Sequence, residues 1–217
     1  MTRIFSIPAY ALLISVTLVR GGLAQEPSGA SRSRPLPLLT AMSADEQTRL
    51  ALSTAPKEVS SSASLYVLTG KGYEQVRTGT NGFSCLVERE LLETVEPTCY
   101  DAEGSATTLK ARLYREELRA QGLSEADVKQ RIAAAYRDGR LSAPRKPGIV
   151  YMLAPENYAW NFITRKLWSH PPHYMFYAPY ATQESMGGPL GPDAPVVGWA
   201  GQPDAVIIVM AVRHSDH

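Results

Sequence analysis

Histidine side chains near the end of the chain are the groups best suited to bind a metal ion or to transfer protons. All four histidines of the sequence lie at or after position 170. Imidazole is the commonest metal ligand and the natural acid or base near neutral pH. His170 and His173 precede one predicted strand, whereas His214 and Asp216 follow the last one, so the four side chains could meet at one end of a sheet. This pattern predicts a divalent metal site and, with it, a metal-dependent hydrolytic enzyme.

The spacing of the first two histidines favours a second interpretation. Pro171 and Pro172 separate them, and consecutive prolines adopt polyproline II, which rises about 3.1 Å per residue. On that geometry His170 and His173 face the same way but lie roughly 9 Å apart, too far for one ion unless the segment bends. In this alternative, His173 is a hydrogen-bonded residue at a strand end and the other histidines are solvated.

Aromatic side chains in a predicted loop indicate a binding surface. Trp160 and Trp168 both lie between two predicted strands. Exposed aromatic rings often contact a ligand or partner, although they can also anchor a loop onto a sheet. Arg89, at the end of another predicted strand, could bind a ligand carboxylate or could be a solvated edge residue. Together with His173, these three residues form the predicted ligand site.

Familiar catalytic motifs are missing from the sequence. It contains no Gly-x-Ser-x-Gly elbow, no His-Glu-x-x-His zinc motif and no glycine-rich phosphate loop followed by a helix. A blue-copper site also fails, since neither cysteine has a histidine nearby. The sequence therefore offers no recognised catalytic constellation.

The two cysteines, Cys85 and Cys99, predict one disulfide. A minimal even pair in an oxidising compartment is most simply a bridge, with buried free thiols as the alternative. No Cys-x-x-Cys motif is present, so a redox-active pair is not expected. We expect a structural bridge that stabilises the fold by about 3 kcal/mol.

The first residues have the pattern of a secretory signal peptide. Arg3 precedes an apolar run, and Gly22-Leu23-Ala24 supplies the small residues after which a signal peptidase cleaves. A membrane anchor is the alternative, but Pro8 interrupts the run, which is shorter than the ~20 residues that span a bilayer. We expect residues 1–24 to be removed, leaving a soluble extracytoplasmic protein that is periplasmic or secreted.

Composition narrows the function of the mature chain. Removal of residues 1–24 takes away two of 22 basic residues and none of the 21 acidic ones, leaving 20 against 21. A near-neutral chain lacks the electrostatic signature of nucleic-acid binding, and no later segment is apolar enough to span a membrane.

Residues 25–41, rich in Pro, Ser, Gly and Arg, predict a disordered tether, and residues 42–217 a single domain.

The order of predicted elements indicates an α+β fold. Short β segments between residues 65 and 89, separated by glycine-containing turns, predict a three-stranded antiparallel meander. A capping box at Ser43 and Glu46 predicts a short helix before it, and apolar stripes over 109–139 predict a helical hairpin after it. Three further strands are predicted over 149–153, 174–177 and 205–212. We expect one mostly antiparallel sheet with the helical hairpin packed on one face.

Two long connections, 154–172 and 178–202, join the last three strands. The second is rich in Gly and Pro, which prevent regular structure. Loops of this length in a compact domain are usually functional or mobile. The final strand, 205–212, is apolar on both faces, so we expect it to be central and covered.

Four segments carry a resemblance to known sequences. They are 79–89 (GTNGFSCLVER), 172–177 (PHYMFY), and 151–153 (YML) together with the closing apolar strand. In these segments, which extend over most of the mature domain, the chain resembles a group of secreted bacterial proteins usually described only as hypothetical. The resemblance implies an exported bacterial domain and directs attention to the strand that His173 enters. It implies no activity, cofactor or catalytic residue.

The leading hypothesis is a non-enzymatic extracytoplasmic domain that binds a small ligand or an envelope protein through the aromatic loops around 172–177. It rests on the two long connections, which join strands that the sequence predicts clearly. The alternative is the metal-dependent hydrolase, with His170, His173, His214 and Asp216 as ligands. A third hypothesis, a structural component of the cell envelope, predicts no pocket.

The metal hypothesis makes a direct prediction. Protein exported to the periplasm and purified without a His-tag should contain stoichiometric metal, and a His173→Ala variant should lose it because one ligand is removed. Elemental analysis of both proteins measures this. Absence of metal from both would leave His173 as a structural residue and direct the search to ligands and partners.

Overall fold

The structure is a computed structural model that describes residues 38–161, 164–188 and 195–211. The predicted signal peptide, residues 1–24, lies outside this part of the chain. The predicted tether extends too far, because Leu39–Ala41 forms a 3-10 helix and Leu39 is fully buried. The folded domain therefore begins before residue 42, since the Leu39 side chain packs in its core.

Capping residues set the limits of the main helices. The Ser43 hydroxyl and the Glu46 side chain form a capping box at the start of the first long helix, as predicted. Ser124 caps the second helix of the hairpin, and Gly122, with a φ of 81°, allows the turn between the two. The helices are α1 (Ala44–Ser53), α2 (Lys57–Ser60), α3 (Ala102–Ala106), α4 (Thr108–Ala120) and α5 (Glu125–Arg137).

The main sheet has eight strands in the described residues, with the order β2-β1-β3-β4-β5-β8-β10-β9. All neighbouring pairs are antiparallel except β1 and β3, which are parallel. The fold is therefore α+β with a mostly antiparallel sheet, as predicted. The strands are β1 (Ser64–Thr69), β2 (Gly72–Arg77), β3 (Ser84–Glu88), β4 (Glu96–Tyr100), β5 (Ile149–Met152), β8 (His173–Tyr177), β9 (Val196–Gly198) and β10 (Val206–Met210).

The predicted antiparallel meander is wrong at its third strand. β3 pairs with β1 in parallel rather than with β2. The first four residues of β3 are buried, so this strand needs neighbours on both sides. β2 exposes three of its six residues, including Val76, and its polar side chains suit a sheet edge.

Both long connections contain regular structure that the sequence did not predict. β6 (Tyr158–Asn161) and β7 (Lys166–Ser169) form a two-stranded hairpin in the first connection, and β9 forms in the second. The last strand is internal, since β10 lies between β8 and β9. It is covered only in part, because Val209 and Met210 at its end are 43% and 41% exposed.

Helices cover both faces of the sheet. Along β3, Cys85 and Val87 point to the face that packs against α1, whereas Leu86 between them belongs to the core under α4. The helical hairpin therefore packs on one face as predicted, and α1 covers the other. Ala111 of α4 and Ala135 of α5 form a small separate core between the two helices of the hairpin.

The predicted disulfide is confirmed. Cys85 of β3 and Cys99 of β4 lie directly opposite each other in the antiparallel pair and are bonded. Both are completely buried on the α1 side of the sheet. No helix within the described residues is long and apolar enough to cross a membrane.

Removal of the disulfide should lower the free energy of unfolding by about 3 kcal/mol, because the bridge closes a loop across 14 residues in the unfolded chain. The test is urea denaturation of a Cys85→Ala/Cys99→Ala variant beside the native protein. Reductant added during unfolding should lower the free energy of unfolding of the native protein to a value close to that of the variant. A loss below about 1 kcal/mol would contradict the expected constraint on the unfolded state.

Candidate functional site

Three of the predicted site residues, Trp168, His170 and His173, lie one beside the next at the β6–β7 hairpin in a column whose neighbouring rings are tilted by 52° and 41°. The ring centroids of Trp168 and His170 are 4.6 Å apart, and those of His170 and His173 are 4.0 Å apart. The predicted separation of roughly 9 Å is wrong because the chain bends at Pro172 instead of continuing as polyproline II. The bend brings both imidazole rings over a single backbone carbonyl.

That carbonyl, of Pro171, fixes the protonation of both rings. Nδ1 of His170 lies 3.1 Å and Nδ1 of His173 lies 2.8 Å from its oxygen. A carbonyl only accepts hydrogen bonds, so each ring must carry a proton on Nδ1. Burial, and then the neighbouring His170, lower the pKa of His173 to about 4, while the bond to Pro171 acts in the opposite direction; burial also lowers the pKa of His170. Both rings are therefore neutral at neutral pH.

The metal site remains a prediction. Neutral rings with the proton on Nδ1 leave Nε2 free to bind a metal ion. His214 and Asp216, however, lie outside the described residues. Within the described residues, no group of three His, Cys, Asp or Glu side chains is arranged to hold a metal ion.

The remaining predicted ligand residues do not join this column. Trp160 pairs with Leu167 across the hairpin while Trp168 pairs with Ala159, so the two tryptophans lie on opposite faces of the hairpin. Arg89 follows β3, and two strands separate β3 from β8. The Arg89 guanidinium is bound to Glu116, with Nη2 2.6 Å and Nε 3.1 Å from one carboxylate oxygen.

A cleft of about 750 Å³ lies elsewhere, on the side of the sheet that carries the helical hairpin. It is enclosed by α4, α5, the loop after β3 and the connection between β9 and β10. None of the predicted site residues lines it. The charged and aromatic side chains of its lining include those of Glu90, Arg115, Arg119, Tyr136, Tyr180, Trp199 and Asp204.

No protein-family model, curated protein or solved structure matches this chain. The function therefore has to be argued from the chemistry of the cleft.

A network of buried charges forms the wall that α4 contributes. Glu116 is only 3% exposed and binds both Arg89 and Arg119. Arg119 also binds the Glu125 carboxylate of α5 and donates from Nη2 to the carbonyl oxygen of Glu90, at 2.8 and 2.9 Å. Each of these guanidinium groups has a carboxylate partner, so the network holds α4, α5 and the loop after β3 together.

Arg112 lies deeper and is 3% exposed. Its Nη1 is 3.0 Å from Asp204 Oδ2, and its Nε is 3.4 Å from Glu88 Oε2. Its guanidinium carbon also lies 4.6 Å from the ring centroid of Trp199, within cation–π distance. Neither Nε nor Nη1 has a hydrogen-bond partner of good geometry, so Arg112 is held by charge and ring contacts.

Arg115, by contrast, lacks a close partner. Its nearest carboxylate oxygen, Glu90 Oε2, is 3.9 Å away, and its side chain is only 18% exposed. Burial, and then the positive charge of Arg112, lower the pKa of Arg115. No hydrogen bond of its guanidinium occurs within the described residues. The buried hydroxyl of Tyr136, which also lines the cleft, has no partner either. Both residues line the cleft, and neither polar group has a hydrogen-bond acceptor in the part of the chain that the structure describes.

Three carboxylates crowd the sheet behind this wall. Glu88 and Glu96 are directly opposite each other on β3 and β4, and the Glu90 N–H donates to Glu96 Oε1 at 3.2 Å. Burial raises the pKa of Glu96 to about 7. A hydrogen bond from Thr94 acts in the opposite direction, and the charge of Glu90 adds to the rise.

Sequence reasoning missed the cleft, although α4 carried a usable signal. Arg112 and Glu116 follow Leu109 at positions i+3 and i+7, so they lie on the apolar face of the helix. Charged residues on a core-facing stripe are rarely tolerated without a function. Trp199 and Tyr180 lie in the second long connection, where function was expected without any residue being named.

The pKa of Glu96 predicts a specific pH dependence. Between its ordinary value of 4.5 and about 7 the folded protein holds a proton that the unfolded chain releases, so stability falls as pH rises through this interval. A Glu96→Gln variant lacks this loss and should be more stable than the native protein at pH 8, by about 1–3 kcal/mol.

Urea denaturation of both proteins at pH 4.5 and at pH 8 measures the difference. Glu93→Gln, in the exposed part of the same loop, is the matched control and should follow the native curve. Equal stability differences at the two pH values would show that Glu96 does not titrate in this interval.

Proposed function

We propose that this chain is an extracytoplasmic binding domain whose cleft holds a small anionic ligand. The observation that carries the proposal is Arg115, a largely buried guanidinium with no hydrogen bond in the described structure and no carboxylate oxygen closer than 3.9 Å. Apart from this long ion pair with Glu90, the guanidinium has no acceptor, and a largely buried cation without hydrogen bonds is costly, so an anion from outside the chain is the natural complement.

Arg115 differs in this respect from the other arginines of α4. Arg112 has Asp204 and Glu88 close by, and Arg119 has Glu116 and Glu125. Those guanidinium groups are already compensated. One anionic group bound at Arg115 would therefore give this guanidinium a hydrogen-bonded acceptor, whereas anions at the other two positions would displace internal partners.

The hydroxyl of Tyr136 supports the same position. Burial raises its pKa, Asp204 raises it further, and Arg112 and Arg115 act in the opposite direction, so all three charged groups lie near it. The hydroxyl therefore stays protonated and can donate to an acceptor. A carboxylate or similar oxyanion can accept from the fork of Arg115 and from Tyr136 together.

The rest of the cleft favours a ligand that is partly apolar. α5 contributes Val128 and Ile132 to its lining, and the loop after β3 contributes Leu91. The volume of about 750 Å³ is within the range of about 300–1,000 Å³ found for small-molecule sites. Lys129 and Arg137 are exposed at the rim and would attract an anion toward the cleft.

The compartment is part of the proposal. The disulfide fits an oxidising environment, and the signal-peptide pattern of residues 1–24 supports export. A small molecule is favoured over an envelope protein as the partner, because the unpartnered donors line a cleft instead of an exposed surface.

The proposal predicts that Arg115 contributes to binding at the expense of stability. An Arg115→Gln variant should be as stable as the native protein or more stable, by up to about 1 kcal/mol, since a desolvated cation near Arg112 is removed. The same variant should lose the rise in melting temperature that small organic acids give the native protein. Tyr136→Phe should weaken that rise several-fold.

A thermal-shift screen of small monocarboxylic acids against their neutral amides measures this. The matched control is Arg131→Gln, which removes an exposed charge from α5 outside the cleft. A clear loss of stability in Arg115→Gln, or an equal response to acids in all variants, would contradict a binding role for Arg115.

A further inference from the structure

We propose that the ligand of the cleft is a planar aromatic or conjugated acid whose ring stacks on Trp199. This inference rests on the proposed function, because it takes the anionic group of the ligand to be bound at Arg115. It adds the chemical class of the rest of the molecule.

Trp199 is held in one orientation by two contacts. Its Nε1–H donates to Glu90 Oε2 at 3.0 Å, which fixes the rotation of the indole. The Arg112 guanidinium covers one ring face at 4.6 Å from the centroid. Trp199 is half-buried, packs in part against the core under α4 and lines the cleft, so part of its ring surface is open to a ligand there. An indole fixed in this way is a preformed platform for another flat ring.

Backbone strain at the cleft points the same way. Three non-glycine residues in the described chain have a positive φ, and two of them, Trp199 (50°) and Tyr180 (64°), line the cleft. The left-handed region is unfavourable for such residues and persists only where surrounding contacts enforce it. Gln202 enforces it here, because its carbonyl accepts from Tyr180 N–H at 2.9 Å and its N–H donates to the Trp199 carbonyl at 3.0 Å.

The two strained residues, Tyr180 and Trp199, thus both contribute aromatic side chains to the lining of the cleft. Tyr180 is 62% exposed, and neither ring stacks on another aromatic ring of the described residues. Accessible aromatic rings without a stacking partner, on a backbone that hydrogen bonds hold in a strained conformation, are expected where a ligand supplies the partner.

The distance from ring to cation limits where the acidic group is attached. Arg115 Nη1 is 3.9 Å and Trp199 Nε1 is 3.0 Å from the same Glu90 oxygen, so the two nitrogens are at most about 7 Å apart. In the ligand, the ring that stacks on the indole and the oxyanion that binds the guanidinium must then be only a few bonds apart. The acidic group is bonded to the ring directly or through one or two atoms.

The test compares three probes of one carbon skeleton: 2-naphthoate, decahydro-2-naphthoate and 2-naphthamide. Binding to the native protein and to Trp199→Leu, Tyr180→Ala and Arg115→Gln is measured by calorimetry. Proton–nitrogen NMR of the indole N–H groups, assigned with the Trp199 variant, gives an independent readout. Tyr180→Ala changes an exposed side chain, so it remains informative if Trp199→Leu does not fold.

We expect 2-naphthoate to bind about three- to tenfold more tightly than its saturated analogue, which is the effect of ring stacking. It should shift the Trp199 indole resonance, and the preference should shrink in both aromatic variants. Equal binding of the two acids, still lost in Arg115→Gln, would overturn the aromatic class and leave the anion site standing. Binding of no acid, or equal binding of acid and amide, would overturn both.

Discussion

The buried charge of Arg112 is the constraint on which the arrangement of the cleft depends. A guanidinium that is 3% exposed must be compensated, and its partners come from two distant parts of the chain. Glu88 ends β3, Asp204 precedes β10, and Trp199 lies in the connection between β9 and β10. The compensation of one side chain of α4 therefore fixes the helix over the sheet and draws the β9–β10 connection toward it. The cleft is the space that remains beside these contacts.

The same charges hold the side chains around the cleft in place. Glu116 and Glu125 bind Arg119 and join the two helices of the hairpin, and Glu90 orients the Trp199 indole. These contacts consume most of the donors and acceptors around the cleft. The donors that remain within the described residues are on Arg115 and Tyr136. The strained backbone of Trp199 and Tyr180 adds an aromatic wall to this arrangement.

Local signals in the sequence predicted much of the scaffold. The capping box at Ser43, the cap at Ser124 and the apolar stripe of α4 each act within one or two turns, so they could be identified without the tertiary fold. The disulfide was also predictable, because two cysteines allow one intramolecular pairing. The parallel pairing of β3 with β1 was not, since it depends on which strand can be covered on both faces. The Trp168–His170–His173 column shows a mixed outcome: the residues were named, but a bend at Pro172 decided their contact.

The sequence by itself determined the α+β class, the main helices, the disulfide and the set of polar residues that had to be compensated. These follow from periodicity, caps and composition, which are properties of neighbouring residues. Only the tertiary structure decided which charges compensate one another. The sequence does not distinguish Arg89, Arg112, Arg115 and Arg119. In the structure three of them have a carboxylate oxygen within about 3 Å, whereas the nearest one to Arg115 is 3.9 Å away. Such a difference depends on distances between residues far apart in the chain, because electrostatic compensation acts through space.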